Sequence, residues 1–376
     1  MPMPQAEISA KHILHIFSSL ELGGAQRRFI DYLASSDADF EHTVYAMDGN
    51  YEAVKMMDGV SVLGDGRQLI VKGNTLGAIR AARRQLNSVR PQLLVTYNFG
   101  AIEWALANRF FPICPMIHIQ DGFTGEEQST EITSRRLLRR LAYRSCTAAV
   151  VPSLTLEKHV KESWKIPTDR LEFLPNGVDI SRFAKSGDAS LAASLGLDQN
   201  KRIIGTVAGL RPEKNVGRLI EAFSLLEDEF SDIQLVVIGD GIGKPALTML
   251  AERVCKKDAV VFTGALSNPE QLLPFFNIFA LSSDTEQMPL SVIEAMAARL
   301  PVASTDVGDI THMVADANKP YIEGKDAATL AKSLAALLNT SEVANIGDAN
   351  RAKAESDYSL SDMVHRYDRL FSHASL

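Results

Sequence analysis

Leu281-Ser-Ser-Asp-Thr-Glu286-Gln-Met288-Pro-Leu290-Ser291-Val-Ile-Glu294-Ala-Met-Ala297 decides how this chain is read. The apolar run 275–281 predicts a buried strand leading into it. Beyond a short polar loop, Leu290, Ile293, Met296 and Ala297 recur at helical spacing. Pro289 suits the first turn of that helix, where a missing N–H costs nothing. The unit is therefore strand, loop, helix, with Glu286 in the loop and Glu294 a turn inside the helix. A helix N-terminus has free N–H groups and a partial positive charge, so the turn at Leu290 and Ser291 can hold a diphosphate. A carboxylate only accepts hydrogen bonds, and so grips hydroxyls. A nucleotide sugar has hydroxyls on both sides of its diphosphate, the sugar on one and the ribose on the other. Two glutamates straddling a helix N-terminus, with seven residues between them, fit that molecule end to end. The alternative is a solvated loop glutamate and an exposed helical one.

Working outward, the same alternation continues. Strand 202–208 enters Gly209-Leu-Arg211-Pro-Glu-Lys214-Asn215, and strand 233–238 enters Gly239-Asp240-Gly241-Ile-Gly243-Lys244. Strand 260–263 leads to Gly264 and strand 301–304 to Asp306-Val-Gly308, with helices near 326–338, 341–354 and 360–374. Upstream, Leu174-Pro-Asn176-Gly177-Val-Asp179 is turn chemistry, and we place a domain boundary there. This gives domains 1–176 and 177–357, with 183–198 a polar connector. In the first domain, strand 13–17 passes through Gly23-Gly24 into a helix, a turn that lets backbone approach a ligand. Strand 115–119, carrying His118, enters Gln120-Asp121-Gly122. Strands alternating with helices predict an α/β protein with parallel sheets covered on both faces. Ligands of such sheets bind at the carboxyl ends of the strands, the edge to which Gly23, Gly24 and His118 belong.

A length of 376 residues suits two domains, and 46% hydrophobic with 23% charged residues is a soluble globular composition. Apolar runs are strand length, so no membrane span is expected, and the polar N-terminus predicts no signal peptide. Cys114, Cys146 and Cys255 are odd in number and lie in apolar surroundings, which predicts reduced thiols in a cytoplasmic protein. The net charge of −7 divides unevenly. Residues 1–176 carry 20 Lys/Arg and 19 Asp/Glu, and residues 177–376 carry 19 and 27, giving +1 and −8. Different partners for the two domains are expected, with no nucleic acid among them.

These motifs, in this order over nearly the whole chain, resemble the retaining GT-B glycosyltransferases of family four. The resemblance rests on Gly23-Gly24, His118, Asn176-Gly177-Val178-Asp179, Arg211 and Lys214, Gly239-Asp240-Gly241, Thr263-Gly264, and Glu286 with Glu294-Ala-Met-Ala. It implies two facing Rossmann-like domains with the active site in the cleft between them. The acceptor would sit on the first domain and the nucleotide sugar, of UDP or GDP type, on the second. The last helix, about 358–376, would return to the first domain. The implied donor-binding residues are Gly23, Gly24, Asn176, Gly241, Met288, Leu290, Ser291 and Glu294; the implied catalytic ones are His118, Arg211, Lys214 and Glu286. No cofactor and no metal are implied, and the acceptor would be a glycan or lipid-linked. Two positions depart from the family pattern. Gly209 stands where an arginine is usual, which passes that charge to Arg211, and Arg299 stands where glycine is usual before Leu300-Pro301. Arg299 is therefore expected at positive φ.

Other features have competing readings. Asp37-Ala-Asp39 resembles a metal motif but follows a helix, at the wrong edge of a sheet. Gly239-Asp-Gly-Ile-Gly243 fails the dinucleotide spacing, which argues against a dehydrogenase. The helix with Arg135, Arg136, Arg139, Arg140 and Arg144 is either a solvated basic face or a contact with an anionic membrane surface. A GT-B sugar-nucleotide epimerase and a non-catalytic sugar-nucleotide-binding module remain alternatives to a transferase.

Overall fold

The computed structural model describes residues 10–70, 74–123, 127 and 131–375. Two compact units divide the chain. The first is Met1–Pro175 with Ser361–Leu376, and the second is Asn176–Leu360.

In the first unit, seven parallel strands form a sheet in the order β3-β2-β1-β4-β5-β6-β7. They are β1 (Lys11–Phe17), β2 (Phe40–Ala46), β3 (Val60–Val62), β4 (Leu93–Tyr97), β5 (Met116–Ile119), β6 (Ala148–Val151) and β7 (Leu171–Phe173). The helices between them are α1 (Gly24–Ser35), α2 (Thr75–Val89), α3 (Ile102–Arg109), α4 (Thr133–Tyr143) and α5 (Leu154–His159). The C-terminal helix α13 (Leu360–Ala374) belongs to this unit and is held by Asp368, which accepts from Tyr32 and Ser36 hydroxyls at 2.8 and 2.7 Å.

In the second unit, six parallel strands lie in the order β10-β9-β8-β11-β12-β13. They are β8 (Arg202–Val207), β9 (Ile233–Ile238), β10 (Val260–Gly264), β11 (Ile278–Leu281), β12 (Val302–Thr305) and β13 (Ile322–Glu323). Side chains alternate between two cores. Ile203, Val236, Phe279 and Leu281 face one, while Ile204, Leu235, Val237 and Ala280 face the other. That period of two, with both faces apolar, is why these strands read as continuous hydrophobic runs. The covering helices are α6 (Ala189–Ser194), α7 (Val216–Ser224), α8 (Lys244–Val254), α9 (Leu290–Ala297), α10 (Ile310–Met313), α11 (Ala327–Asn339) and α12 (Val343–Asp357).

Three expectations need correction. The polar connector 183–198 contains α6, because Asp188 caps it by accepting from Leu191 N at 2.9 Å and Ala192 is buried. The strand expected at 275–281 starts only at Ile278, since 273–275 turns as a short 3₁₀ helix around Pro274. The arginines of α4 are not all solvated. Arg139 is fully buried, reaching Glu127 at 2.7 Å and Glu131 at 2.6 Å, and Arg140 donates to the Ser163 carbonyl at 2.5 Å. The sequence places that helix at 130–144, and its residue 130, with residues 1–9, lies outside the described residues.

Arg299 has φ 61°. Its N–H donates to Met296 O and the next N–H, of Leu300, to Ala295 O, which is a Schellman ending for α9. Cys114 and Cys146 are buried and Cys255 half-buried, all three free thiols pushed up to about 12 by burial.

Candidate active site

Strand order reverses between β1 and β4 in the first sheet and between β8 and β11 in the second. In open parallel sheets such a reversal leaves a crevice at the carboxyl ends, where ligands bind. The loops leaving β8 and β11 are those of Lys214 and Glu286. They are joined. Lys214 Nζ donates to Glu286 Oε1 at 2.5 Å, and Ser283 Oγ donates to the same oxygen at 2.7 Å. Ser282 Oγ donates to Lys214 O at 3.2 Å, and Asp284 N to Glu213 O at 2.9 Å.

The Glu286 loop is braced from three sides. From α7, Arg218 donates to Asp284 Oδ1 at 2.6 Å and to Ser282 O at 2.7 Å. Asn215, at φ 41°, caps α7 and donates its amide to Asp284. From β12, Thr305 Oγ1 donates to Ser283 O at 2.7 Å. Gly308 lies against the loop at φ +58°, where a Cβ would stand 2.5 Å from Glu286 O, so only glycine fits. Sequence reasoning missed this bracing; the polar run Ser282-Ser283-Asp284 was its only local signal.

Helix α9 follows. Pro289 is its N-cap residue and supplies no side-chain cap to the first turn. Asn176 holds the entry, donating Nδ2 to Met288 O at 2.8 Å and N to Met288 Sδ at 3.3 Å. Met288 is buried. Leu290, Ser291 and Glu294 are half-buried, on the partly accessible side of a helix whose Val292, Ile293, Ala295 and Met296 are buried. The β9 loop approaches so closely that a Cβ at Gly239 would lie 1.9 Å from Ala208 O. Gly241 follows, its N–H donating to Asp240 Oδ1 at 2.7 Å. Arg211 stands apart from Lys214. Its side chain is 56% exposed and pairs with Glu213 at 3.0 Å, while the Lys214 side chain is 20% exposed and points to Glu286.

In the first unit His118 lies within β5, as strand 115–119 was expected to hold it, and is fully buried. Its ring stacks on Tyr143 at 3.5 Å, with Nδ1 3.0 Å from Thr96 Oγ1 and Nε2 3.2 Å from Gln120 Oε1. Burial, with the charge of Arg139 adding to it, lowers its pKa to about 3. It is a neutral core histidine. The polar group that does reach the strand end is Asp121, three residues on. Its carboxylate pairs with Arg28 of α1, and its N–H donates to Asn98 Oδ1 at 2.8 Å. Asp121 Oδ2 is buried with no hydrogen-bond partner among the described residues. Gly23 and Gly24 open α1 beside this pair, and a Cβ at Gly24 would meet nothing within 4 Å. Asp37 and Asp39 are exposed between α1 and β2. Among the described residues no group of three or more His, Cys, Asp or Glu could hold a metal ion.

Comparison with known proteins fits this architecture. Residues 23–182 match the family described as Glycosyltransferase Family 4, and residues 189–353 match Glycosyl transferases group 1. EpsF of Bacillus subtilis is 24% identical over 79% of this chain and 80% of its own length. A GDP-mannose-dependent monoacylated alpha-(1-6)-phosphatidylinositol monomannoside mannosyltransferase of Corynebacterium glutamicum is 28% identical over 62% of this chain and 64% of its own. The chain spans about half the length of several other curated relatives it matches. Among solved structures, Anabaena HepE in complex with UDP superposes with a TM-score of 0.78 at 17% identity, covering 96% of this chain and all of its own. The fold is thus that of a GT-B glycosyltransferase. The chain belongs to the group 1 glycosyltransferases.

Proposed function

We propose that this protein is a retaining, metal-independent glycosyltransferase that moves a sugar from a nucleotide-diphosphate sugar, of UDP or GDP type, to a glycan or lipid-linked acceptor. The observation that carries the reading is the junction of Lys214 with Glu286 beside the first turn of α9. Breaking the sugar–phosphate bond leaves negative charge on the diphosphate. Lys214 and the N–H groups at Leu290 and Ser291 supply fixed positive charge there, the role a cation plays in other transferases. Glu286 takes the sugar hydroxyls and Glu294 the ribose. Asn176 fixes the approach to α9, and Gly241 keeps the β9 loop close to the phosphates. Arg211 is a surface residue in this scheme. The acceptor oxygen bonds to the anomeric carbon on the face the diphosphate leaves, and its proton passes to the departing phosphate oxygen. No side chain acts as a covalent nucleophile. The first unit takes the acceptor, with Asp121 and Arg28 as its nearest polar groups and Gly23-Gly24 opening space above α1.

Support for this donor class comes from relatives and neighbours whose names carry GDP-mannose or UDP. The setting is cell-surface polysaccharide synthesis at the inner face of a membrane, in keeping with TuaC of Bacillus subtilis, named for teichuronic acid biosynthesis and 31% identical over half of this chain. No helix among the described residues is long and apolar enough to cross a membrane. The test is a thermal-shift screen of nucleotide sugars, followed by product analysis by NMR with lipid and polysaccharide acceptors. Transfer with the anomeric configuration kept is the expected result. Inverted product, a free epimer formed without acceptor, or binding without turnover would each overturn it.

A further inference from the structure

We propose that one flank of the first unit, made by α2, the end of α3 and α4, docks on an anionic lipid bilayer. This deepens the membrane setting proposed above and moves it from α4 alone to a surface built around Phe110 and Phe111. These adjacent rings close α3 and are 63% and 75% exposed. Two large aromatic side chains side by side in water are costly to leave uncovered, and each is worth burying.

Each ring has an arginine over it. Arg83 of α2 lies 6.0 Å from the Phe111 ring and Arg109 lies 5.8 Å from the Phe110 ring. The same two arginines tie the three helices together. Arg83 donates to Ala107 O at 3.0 Å and to Phe111 O, and Arg109 donates to Leu141 O of α4 at 3.1 Å. Phe110, Phe111 and the exposed Leu141 therefore share one neighbourhood, with exposed Leu137 one turn away on α4.

The rim is basic. Residues 75–111 hold five arginines and a single acid, Glu103. Arg80 and Arg84 are exposed one turn apart on α2, and Arg144 is exposed just past α4. The acids before α4, Glu127 and Glu131, are taken up by buried Arg139, by Arg135 and by His159, and turn inward from the rim. Exposed aromatic and aliphatic groups ringed by arginine match the boundary between acyl chains and acidic headgroups. Phe111, Arg84 and Arg144 sit on the segments that run into β5, β4 and β6, which is the amino edge of the sheet. Docking there leaves the carboxyl edge, with Asp121 and Gly24, uncovered.

The experiment is sedimentation of the full chain with phosphatidylglycerol vesicles and with phosphatidylcholine vesicles, at low salt and at high salt. Two variants are compared, F110S/F111S and R80Q/R84Q, both at surface positions. The expected result is binding to phosphatidylglycerol alone, lost at high salt, where screening shortens the reach of each charge. R80Q/R84Q should weaken it by on the order of tenfold or more, because two charges near an acidic surface are lost, and F110S/F111S by a similar factor through lost apolar burial. Nucleotide binding in solution should be unchanged, which separates this proposal from the donor reading. Equal binding to both vesicle types, no binding to either, or variants that bind as the parent does would overturn it. So would gel filtration in which the parent is a dimer and F110S/F111S a monomer, since the ridge would then cover a second copy.

Discussion

Glu286 and His118 stand at corresponding places, each at the carboxyl end of a parallel strand, one in each unit. Their surroundings differ completely. Glu286 is five residues beyond β11, in a loop that turns its carboxylate to Lys214. His118 is one residue short of the end of β5, so its side chain belongs to the pleat and is sealed under Tyr143. A strand aims alternate side chains into the cores on its two faces, and only residues past its last pair are released toward a ligand. The second unit thus presents charged groups joined to one another, while the first hides its histidine and presents Asp121 instead.

The strongest way to break this contrast is in the second unit. Lys214→Ala should lower kcat on the order of 10²-fold or more, because a charge aimed at the leaving group is lost. Arg211→Ala should stay near the parent rate, since its guanidinium is largely in solvent with Glu213. A full-rate Lys214→Ala enzyme, or a greater loss at Arg211, would reverse the roles assigned to the two cations.

A paired test sharpens the contrast further. His118→Ala empties a stacked core position and should cost about 2–4 kcal/mol of stability, with nucleotide affinity intact. Glu294→Ala should do the opposite, holding the melting temperature and weakening binding of the nucleoside diphosphate by about 1.5–3 kcal/mol. Calorimetry and thermal melts on both variants decide it. A stable but inactive His118→Ala protein would return that residue to the active site.

The fold was legible because both sheets are built from apolar strands punctuated by Gly-rich or charged loops, and each loop lies at the ligand edge. The Lys214 and Glu286 loops were legible for the same reason. The Arg28–Asp121 pair was not, because its partners are 93 residues apart and neither has a local signature. The burial of His118 was hidden, because the ring that covers it, Tyr143, comes from α4. The burial of Arg139 was equally hidden, as it depends on Glu127 and Glu131 from outside its helix.

Acid should separate the two units. Burial lowers His15 well below its ordinary value, His42 to about 4 and His118 to about 3, and all three lie in the first unit. Each is neutral when folded and titrates near 6.5 when unfolded, so between those values the unfolded chain binds more protons. The stability they contribute is whole above about pH 6.5 and is lost as pH falls toward 4 and below. The chain has two tryptophans, Trp104 and Trp164, both buried in the first unit, so their fluorescence reports that unit alone. Its melting temperature should drop by several degrees from pH 7 to pH 5, more than the midpoint of the whole chain followed by far-UV circular dichroism, to which both units contribute. Equal drops in both signals would remove the histidines as the cause.

The smallest effect is expected at two helix ends, one per unit, that use arginine where glycine is the usual occupant. Arg90 closes α2 at φ 46° and Arg299 closes α9 at φ 61°. A left-handed residue with a Cβ costs about 1 kcal/mol. At Arg299 the offset is small, because the pair with Asp348 at 2.9 Å is 65% and 60% exposed and such pairs contribute about 0–1 kcal/mol. A positive charge at a helix C-terminus adds a few tenths more, roughly. Glycine relieves the strain but loses more entropy on folding. Arg299→Gly should therefore stabilise by about 0.5 kcal/mol with activity kept, while Arg299→Ala, which keeps the Cβ and loses the charge, should fall below the parent. The backbone of this turn is also fixed from outside, since a Cβ at Gly347 of α12 would lie 2.0 Å from Arg299 O. The turn itself will then survive either change, and Arg90→Gly and Arg90→Ala should follow the same order in the first unit. Denaturant melts in which alanine equals or exceeds glycine at both sites would show that strain at the Cβ does not govern these turns.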